Sequence, residues 1–285
     1  LSADAASDEV FELYSTPSHG LGAVTKLNGP LVTGGDVREF QLTPDSTRAV
    51  YRADELVNNT FELHAVPLVG GPPLHLTPLP AGRRVQADFE LHLAGAHAFY
   101  RADALDDTRY ALHRVALDGL SASVALHPPL DVGRSVTSFA QSPDGQWLVF
   151  LSDAREDEVF ELHSVPAFSG PARSLVTLPS TADVGAYRID PGSQVVFYLA
   201  DPRLDELQEL FRVPLDGSSP PVRVHAPLAL GSDVEPDFLP QPDGRVLYRL
   251  DRDSDAVLEL FHFLALDHER HAPAATPTAT RSIVR

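Results

Sequence analysis

Short apolar runs alternate along the chain with turn sequences, and one arrangement of them recurs at a nearly constant interval. An aspartate leads each copy, at Asp4, Asp54, Asp103, Asp153, Asp201 and Asp251. Successive leading aspartates lie 48 to 50 residues apart. Self-similarity at a fixed period is the signature of a repeat architecture, so the pattern predicts one structural unit in six copies.

Each copy contains four short runs with the composition of β-strands. A β-branched and aromatic run such as Leu148–Leu151 precedes the leading aspartate, and a Phe-Glu-Leu run such as Phe160–Leu162 follows it. A turn such as Pro143–Gly145 precedes the first run, because Pro presets φ and Gly accepts a positive φ. No copy has a helical period. Four antiparallel strands per repeat are typical of a propeller blade, whereas a sandwich would need no recurring motif.

We therefore predict an all-β fold: a single-domain, six-bladed β-propeller of four-stranded antiparallel blades. The first copy is partial (1–32), and the others span about 33–80, 81–131, 132–180, 181–230 and 231–270. We expect the tail 271–285, and 281–285 in particular, to pair with the incomplete first blade. This pairing would close the ring and remove exposed strand edges. A processed fragment that has lost upstream residues is the alternative.

The run Ser142-Pro-Asp-Gly145, followed by Val149–Asp153 and Val159–Leu162, resembles the repeat of TolB-like propellers, also called WD40-like. The variant with Asp-rich loops is similar to bacterial repeat proteins, and the resemblance extends to about residue 267. It implies the propeller fold and a secreted or periplasmic location. It leaves the activity open, because this architecture hosts many functions.

Charge narrows the range of partners. The sequence has 40 acidic and 22 basic side chains, a formal net charge of −18, and no cysteine. An acidic surface repels phosphate backbones and anionic lipids, and no apolar run is long enough to span a bilayer. We expect a monomer that binds no nucleic acid, does not insert into membranes, and has a protein, a peptide or a cation as its partner.

Acidic residues in the hairpin loops suggest a cation site. Each copy has Asp or Asn at the first and fifth loop positions, and the last copy combines Asp251, Asp253 and Asp255 with Glu259. Alternating carboxylates suit Ca²⁺, which takes 6–8 oxygen ligands. Turn chemistry is the alternative, because Asp and Asn bond their own backbone in tight loops. We predict turn stabilisation in most copies and calcium in the last, where both interpretations stay open.

The loops that lead into the inner strands form a second candidate site. In propellers these loops line the mouth of the central channel, so their polar side chains could bind a small ligand or a central ion. Capping of the loops is the alternative. The candidate residues are Asp36, Arg84, Arg134, Asp183 and Asp233.

Two polar positions recur inside the apolar strands. One holds a glutamate in five copies, and since a buried carboxylate must be paired, we expect a structural role there. The other holds His64, His113 and His163, with aromatic residues elsewhere, which indicates packing rather than a three-histidine metal site. His75 has no recognisable ligand spacing. The glutamates are Glu12, Glu62, Glu161, Glu209 and Glu259, with Ala111 in the third copy.

These observations favour a non-enzymatic binding or scaffold propeller that presents an acidic face or the channel mouth to a protein, peptide or cation. The sequence has no phosphate-binding loop and no serine nucleophile elbow. A calcium-dependent hydrolase of the six-bladed type is an alternative, with inner-strand acids as its candidate ligands. A second alternative is the propeller portion of a larger processed protein. The inner-strand acids are Glu39, Asp88, Glu235 and Asp237.

Overall fold

The structure is a computed structural model that describes residues 2–3, 10–19, 22–202, 207–228, 232–250, 258–264 and 280–281. Over these ranges the regular structure is entirely β, and the strands form six antiparallel sheets, here called blades 1 to 6 in chain order. This confirms the all-β class and the blade as the repeating unit. Within the same ranges no helix has the length and apolar character needed to cross a membrane. The chain divides into two compact units, Leu1–Val136 and Thr137–Arg285.

The first unit contains blades 1 to 3. Blade 1 has three described strands, and blades 2 and 3 have four each in the antiparallel order expected from the repeat. The strands are β1 (Ser2–Ala3), β2 (Glu12–Ser15) and β3 (Thr25–Lys26) in blade 1; β4 (Val37–Leu42), β5 (Arg48–Ala53), β6 (Glu62–Pro67) and β7 (Leu74–His75) in blade 2; and β8 (Glu90–Leu91), β9 (His97–Ala102), β10 (Ala111–Ala116) and β11 (Val124–Ala125) in blade 3.

Blades 4 to 6 follow, and β12 begins at the boundary between the units. Each has four strands in sequential order. The strands are β12 (Val136–Gln141), β13 (Trp147–Ser152), β14 (Glu161–Pro166) and β15 (Arg173–Ser174) in blade 4; β16 (Val184–Ile189), β17 (Val195–Ala200), β18 (Glu209–Pro214) and β19 (Val222–Arg223) in blade 5; and β20 (Leu239–Pro240), β21 (Arg245–Leu250), β22 (Glu259–Leu264) and β23 (Thr280–Arg281) in blade 6.

Part of the C-terminal tail, β23, pairs within blade 6, whereas closure of the ring through the rest of the tail stays a prediction. Phe261 lies opposite Arg281 and His262 opposite Thr280, so this part of the tail supplies the fourth strand of blade 6 rather than a strand of blade 1. The reason is local: the outer edge of β22 needs a ladder partner, as β6, β10, β14 and β18 do in the blades before it. Residues 282–285 lie outside the described residues.

The second strands of blades 2 to 5 are largely buried on both faces, which explains why they read as nearly continuous apolar runs. In β5, Val50 faces a cluster shared with blade 3, whereas Ala49 and Tyr51 face a cluster shared with blade 1. In β17, Phe197 packs towards blade 6, and Tyr198 packs towards blade 4. Successive side chains of a strand point to opposite faces, so one strand fills the two interfaces of its blade.

A backbone hydrogen bond recurs where one blade follows another. The donor is the N–H of a valine at or just before the first strand of a blade, here called the inner strand. The acceptor is a carbonyl in the preceding blade, on the residue immediately before the strand that begins with the repeat glutamate or with Ala111. Side chains add to this connection, as described below. The bonds are Val37 to Phe11 (2.9 Å), Val85 to Phe61 (2.7 Å), Val136 to Tyr110 (2.7 Å), Val184 to Phe160 (3.0 Å) and Val234 to Gln208 (3.0 Å).

Candidate metal centre

The leading aspartates of the repeat bind backbone amides of the loop that precedes the inner strand. Asp54 accepts from the N–H of Asp36 (2.7 Å) through Oδ1 and from the N–H of Asn59 (2.8 Å) through Oδ2. Asp103 accepts from Arg84 N (2.5 Å) and Asp201 from Asp183 N (2.8 Å). All three carboxylates are buried. Only the Asn59 contact lies within a hairpin loop; the other three join an aspartate to the loop that precedes the inner strand of its own blade.

The loop residues predicted at the channel mouth make comparable contacts. Asp36 accepts from Phe11 N (2.9 Å), Asp183 from Phe160 N (2.7 Å) and Asp233 from Gln208 N (2.8 Å), in each case across a blade junction. Arg84 donates its backbone N–H to Asp103, and Arg134 donates its own to the carbonyl of Asp131 (3.1 Å). Asp36, Arg84 and Arg134 belong to the first unit, and Asp183 and Asp233 to the second. Ligand binding by these five stays a prediction.

The predicted calcium loop falls mostly outside the described residues. Asp251, Asp253 and Asp255 lie in the range 251–257, which the structure does not describe, and only Glu259, at the start of β22, lies within it. Calcium binding at this loop therefore stays a prediction.

Four of the five strand glutamates lie buried beside a basic side chain. Glu12 pairs with Lys26, Glu62 Oε2 lies 3.0 Å from His75 Nε2, and Glu209 Oε1 accepts from Arg223 (2.8 Å). The three cations come from the fourth strand of the same blade, whereas Glu161 of blade 4 pairs with Arg155 from the hairpin loop (2.7 Å). In blade 3 both positions hold alanine, Ala111 and Ala125, so the glutamate and its cation are lost together.

The inner-strand acids considered for a hydrolase are also ion-paired. Arg52 of β5 holds Glu39 through Nε (2.6 Å) and donates to the carbonyl of Val85 in blade 3 (3.2 Å). Arg101 of β9 likewise holds Asp88 (2.8 Å) and donates to the carbonyl of Val136 (2.9 Å). In blade 6, Arg249 holds Asp237 (2.8 Å) and lies 3.9 Å from Glu235. These pairs join the strands of a blade and, for Arg52 and Arg101, one blade to the next.

Blade 2 departs from the repeat by gathering extra polar side chains on one face. The register of β6 and β7 places His64 directly opposite His75, and their rings stack with centroids 5.0 Å apart. Glu62 lies two residues before His64, so the two point to the same side of β6. One ligand atom from each of Glu62, His64 and His75 lies within 4.8 Å of the others.

A fourth residue, Glu55, orients His64. It follows the leading aspartate, where the other copies have Ala, Pro or Arg. Its Oε2 lies 3.1 Å from His64 Nδ1 and accepts the Tyr51 hydroxyl at 3.1 Å. The backbone of Gly29 passes so close that a Cβ there would lie 2.5 Å from Glu55 Oε1, so a larger residue at this position would displace the Glu55 carboxylate. A carboxylate fixed on one imidazole nitrogen determines which nitrogen is left to bind a ligand.

Burial sets the charge states in this cluster. It lowers the pKa of His64 to about 3, so the ring is neutral near pH 7. In the tautomer with its proton on Nδ1, the nitrogen that lies 3.1 Å from Glu55 Oε2, the lone pair lies on Nε2, which is buried and has no hydrogen-bond partner. The hydrogen bond to Glu62 raises the pKa of His75. Burial raises the pKa of the Glu55 carboxyl, and the Tyr51 hydroxyl opposes this effect.

The donor set of Glu62, His64 and His75 is suited to a divalent transition metal. Two imidazoles and a carboxylate are ligands of Zn²⁺, and the Glu55–His64 contact is the carboxylate–histidine arrangement that supports such ligands. Sequence reasoning missed this cluster because His64 and His75 lie on separate strands, and their juxtaposition depends on a register that spacing alone does not reveal. The Glu-x-His pattern in β6 was the one usable signal.

Comparisons with known proteins bear on the fold. No protein-family model and no curated protein matches the sequence. A Mycobacterium tuberculosis puromycin-hydrolyzing peptidase is 17% identical, with 90% of this chain and 42% of that chain covered and a TM-score of 0.54. An oligogalacturonate lyase in complex with manganese is 16% identical, with 81% and 63% covered and a TM-score of 0.52. A putative TolB from Agrobacterium tumefaciens is 16% identical, with 80% and 76% covered and a TM-score of 0.45.

The first two likenesses show the fold that the repeat predicts, a β-propeller. The chain spans less than two thirds of the length of the peptidase and of the lyase. Identities this low are evidence of fold alone, and one architecture hosts many activities. The function is therefore argued from the residues of this chain.

Proposed function

We propose that this chain is a non-enzymatic, cation-binding propeller in which blade 2 holds one divalent transition-metal ion, with Zn²⁺ the best fit. Glu62, His64 and His75 are the ligands, and Glu55 orients His64. The observation that carries the proposal is the grouping of Glu62, His64 and His75, with one ligand atom of each within 4.8 Å of the others, while His64 Nε2 is buried without a hydrogen-bond partner. Nitrogen donors favour zinc, copper or nickel, whereas calcium and magnesium take oxygen ligands.

The repeat itself supplies the comparison that isolates the metal ligands. Glu62 and His75 occupy the same positions as Glu209 and Arg223, where arginine supplies the positive charge beside the glutamate. Blade 2 differs from blade 5 at two further positions: it has His64 in place of Phe211 and Glu55 in place of Pro202. In the metal-bound state the ion is the positive charge beside Glu62. The acidic surface raises the local cation concentration.

Calorimetric titration of Zn²⁺ into chelator-treated protein tests the proposal. The wild type should bind one ion. His75→Arg recreates the blade 5 pair, so it should fold and lose the site. His64→Phe retains stacking on Tyr51, as Phe211 stacks on Tyr198, and should weaken binding by at least about tenfold. His113→Phe, the equivalent change in blade 3, is the matched control and should leave binding unchanged. Absence of binding by the wild type, or equal binding by His75→Arg, overturns the proposal.

Calcium in the last hairpin loop is a separate proposal, supported by its alternating carboxylates. Titration with Ca²⁺ separates the two sites, because His75→Arg should retain calcium binding and Asp253→Asn should lose it. A basic or cation-bridged protein or peptide partner is supported by the net charge of −18.

A further inference from the structure

Blade 3 contains an apolar cavity of about 240 Å³. It lies beside β10 and β11 and under the loops around 104–109 and 129–130, all within the first unit. Its lining includes Ala102, Leu105, Ala111, Ala125 and Leu130, together with the ring of His113.

The cavity exists because three polar side chains of blade 2 are alanines in blade 3. Ala111 stands where blade 2 has Glu62, Ala125 where it has His75, and Ala104 where it has Glu55. The three alanines all line the cavity. Replacement of the glutamate and its cation together leaves no buried charge without a partner, but it opens a space that the rest of the blade does not fill.

The polar groups around the cavity are bonded or uncharged, and the Nε2 atom of the His113 ring is buried without a hydrogen-bond partner. His127 accepts the N–H of Leu112 at Nε2 (3.0 Å) and contacts the carbonyl of Pro128 through Nδ1 (2.7 Å). Arg109 pairs with Asp106 and donates to the carbonyl of Leu130 (3.3 Å). Burial lowers the pKa of His113 to about 4, so its ring is uncharged near pH 7. A charged ligand would lose its hydration without gaining an unpaired counter-charge among the lining residues.

We propose that this cavity is a binding site for a small, uncharged, apolar molecule of about one aromatic ring. An apolar protein cavity of about 150 Å³ stays dry and binds benzene, so the space in blade 3 is sufficient for a ring with a short substituent. The ligand gains contacts that the alanine side chains lack, with the His113 ring on one side and Leu105 and Leu130 at the rim.

Toluene is the probe, and binding is followed by NMR at the methyl groups of Ala111 and Ala125. The shifts should saturate, and benzoate, of similar size but charged, should bind at least about tenfold more weakly. Two filling variants should abolish binding: Ala111→Leu, and the double variant Ala111→Glu/Ala125→Arg, which installs the ion pair of blade 5. In the double variant the new glutamate and arginine can pair with each other, so it should fold even if Ala111→Leu does not.

A matched pair of exposed leucines in blade 3 provides the control. Leu105 is 70% exposed and lines the cavity, whereas Leu120 is 90% exposed and does not line it. Leu105→Ser should weaken toluene binding by about threefold or more, since the ligand has less apolar surface to pack against, and Leu120→Ser should leave it unchanged. Failure of the Ala111 and Ala125 methyl shifts to saturate, or wild-type affinity in either filling variant, overturns the proposal. His75→Arg should not alter toluene binding, so this site and the metal site fail independently.

Discussion

Arg52 of blade 2 and Arg249 of blade 6 occupy the same position near the end of the second strand, but Arg52 is buried and Arg249 is exposed. Comparison of the two tests how much a buried arginine contributes to the junction between blades. Arg52 is 11% exposed in its side chain, holds Glu39 through two nitrogens, reaches the Val85 carbonyl, and lies 4.4 Å above the Phe61 ring. Arg249 occupies the same repeat position in blade 6, but its side chain is 42% exposed and its partners are Asp237 and Glu235. We compare Arg52→Met with Arg249→Met, which both retain an apolar stem.

The expected destabilisation follows from the interactions that each substitution removes. Arg52→Met removes the hydrogen bond to a carbonyl at a blade junction, at about 1–3 kcal/mol. It also removes a cation–π interaction of about 0.5–1 kcal/mol. The ion pair with Glu39 is lost as well, but the Glu39 carboxylate is partly exposed and can be hydrated instead. The total is about 2–4 kcal/mol. Arg249→Met removes an exposed ion pair, which contributes about 0.2–1 kcal/mol.

Urea denaturation measures the two destabilisations, and amide hydrogen exchange reports the junction itself. The Val85 N–H, bonded to Phe61, should lose protection in Arg52→Met and keep it in Arg249→Met. Equal destabilisation by the two variants, within about 0.5 kcal/mol, would contradict the reasoning, because it would mean that burial and the carbonyl hydrogen bond add nothing to the exposed pair.

Three further predictions concern the other polar groups. Arg223→Leu removes the cation beside Glu209, which is 1% exposed in its side chain, and should destabilise the protein by about 2–3 kcal/mol in urea titrations, with partial recovery when Glu209→Gln is added. Gly29→Ala should displace Glu55 and weaken zinc binding about tenfold in calorimetry. Gly185→Ala, whose Cβ would meet only the end of Gln208 at 3.3 Å, should not. Because burial lowers the pKa of His113 to about 4, against about 6.5 in the unfolded chain, its contribution is present above pH 6.5 and is lost on acidification. The wild type should therefore lose about 1–2 kcal/mol more than His113→Phe between pH 7 and pH 5, as measured by urea midpoints.

The repeat made the blades predictable, and the leading aspartates show why. Their side chains bond loop amides in the same way in copies 2, 3 and 5, so a local chemical requirement recurs in the sequence at the period of the fold. The β-branched runs were equally readable, since a strand buried on both faces needs apolar residues at every position.

Features that depend on pairing between distant segments could not be predicted. The tail was assigned to blade 1 because that copy looks incomplete, whereas Thr280–Arg281 completes blade 6. The metal centre depends on His64 lying opposite His75, and the geometry of the loop between β6 and β7 fixes that register. In the sequence, the only sign of the cavity in blade 3 was that Ala111 interrupts the series of strand glutamates. The cavity could be inferred only once the structure showed that Ala125 lines the same space.

The pairing of a buried strand glutamate with a cation has a consequence for the order in which mutations can accumulate. Glu209 is 1% exposed, whereas Arg223 is 26% exposed and Lys26, the equivalent cation of blade 1, is 40% exposed. A lone cation at this position can turn towards water, but a lone glutamate stays buried without its counter-charge. A blade with this ion pair can therefore evolve into one with two alanines, like blade 3, with little loss of stability if the glutamate is replaced first. If the cation is replaced first, the intermediate has a buried, unpaired glutamate and is destabilised.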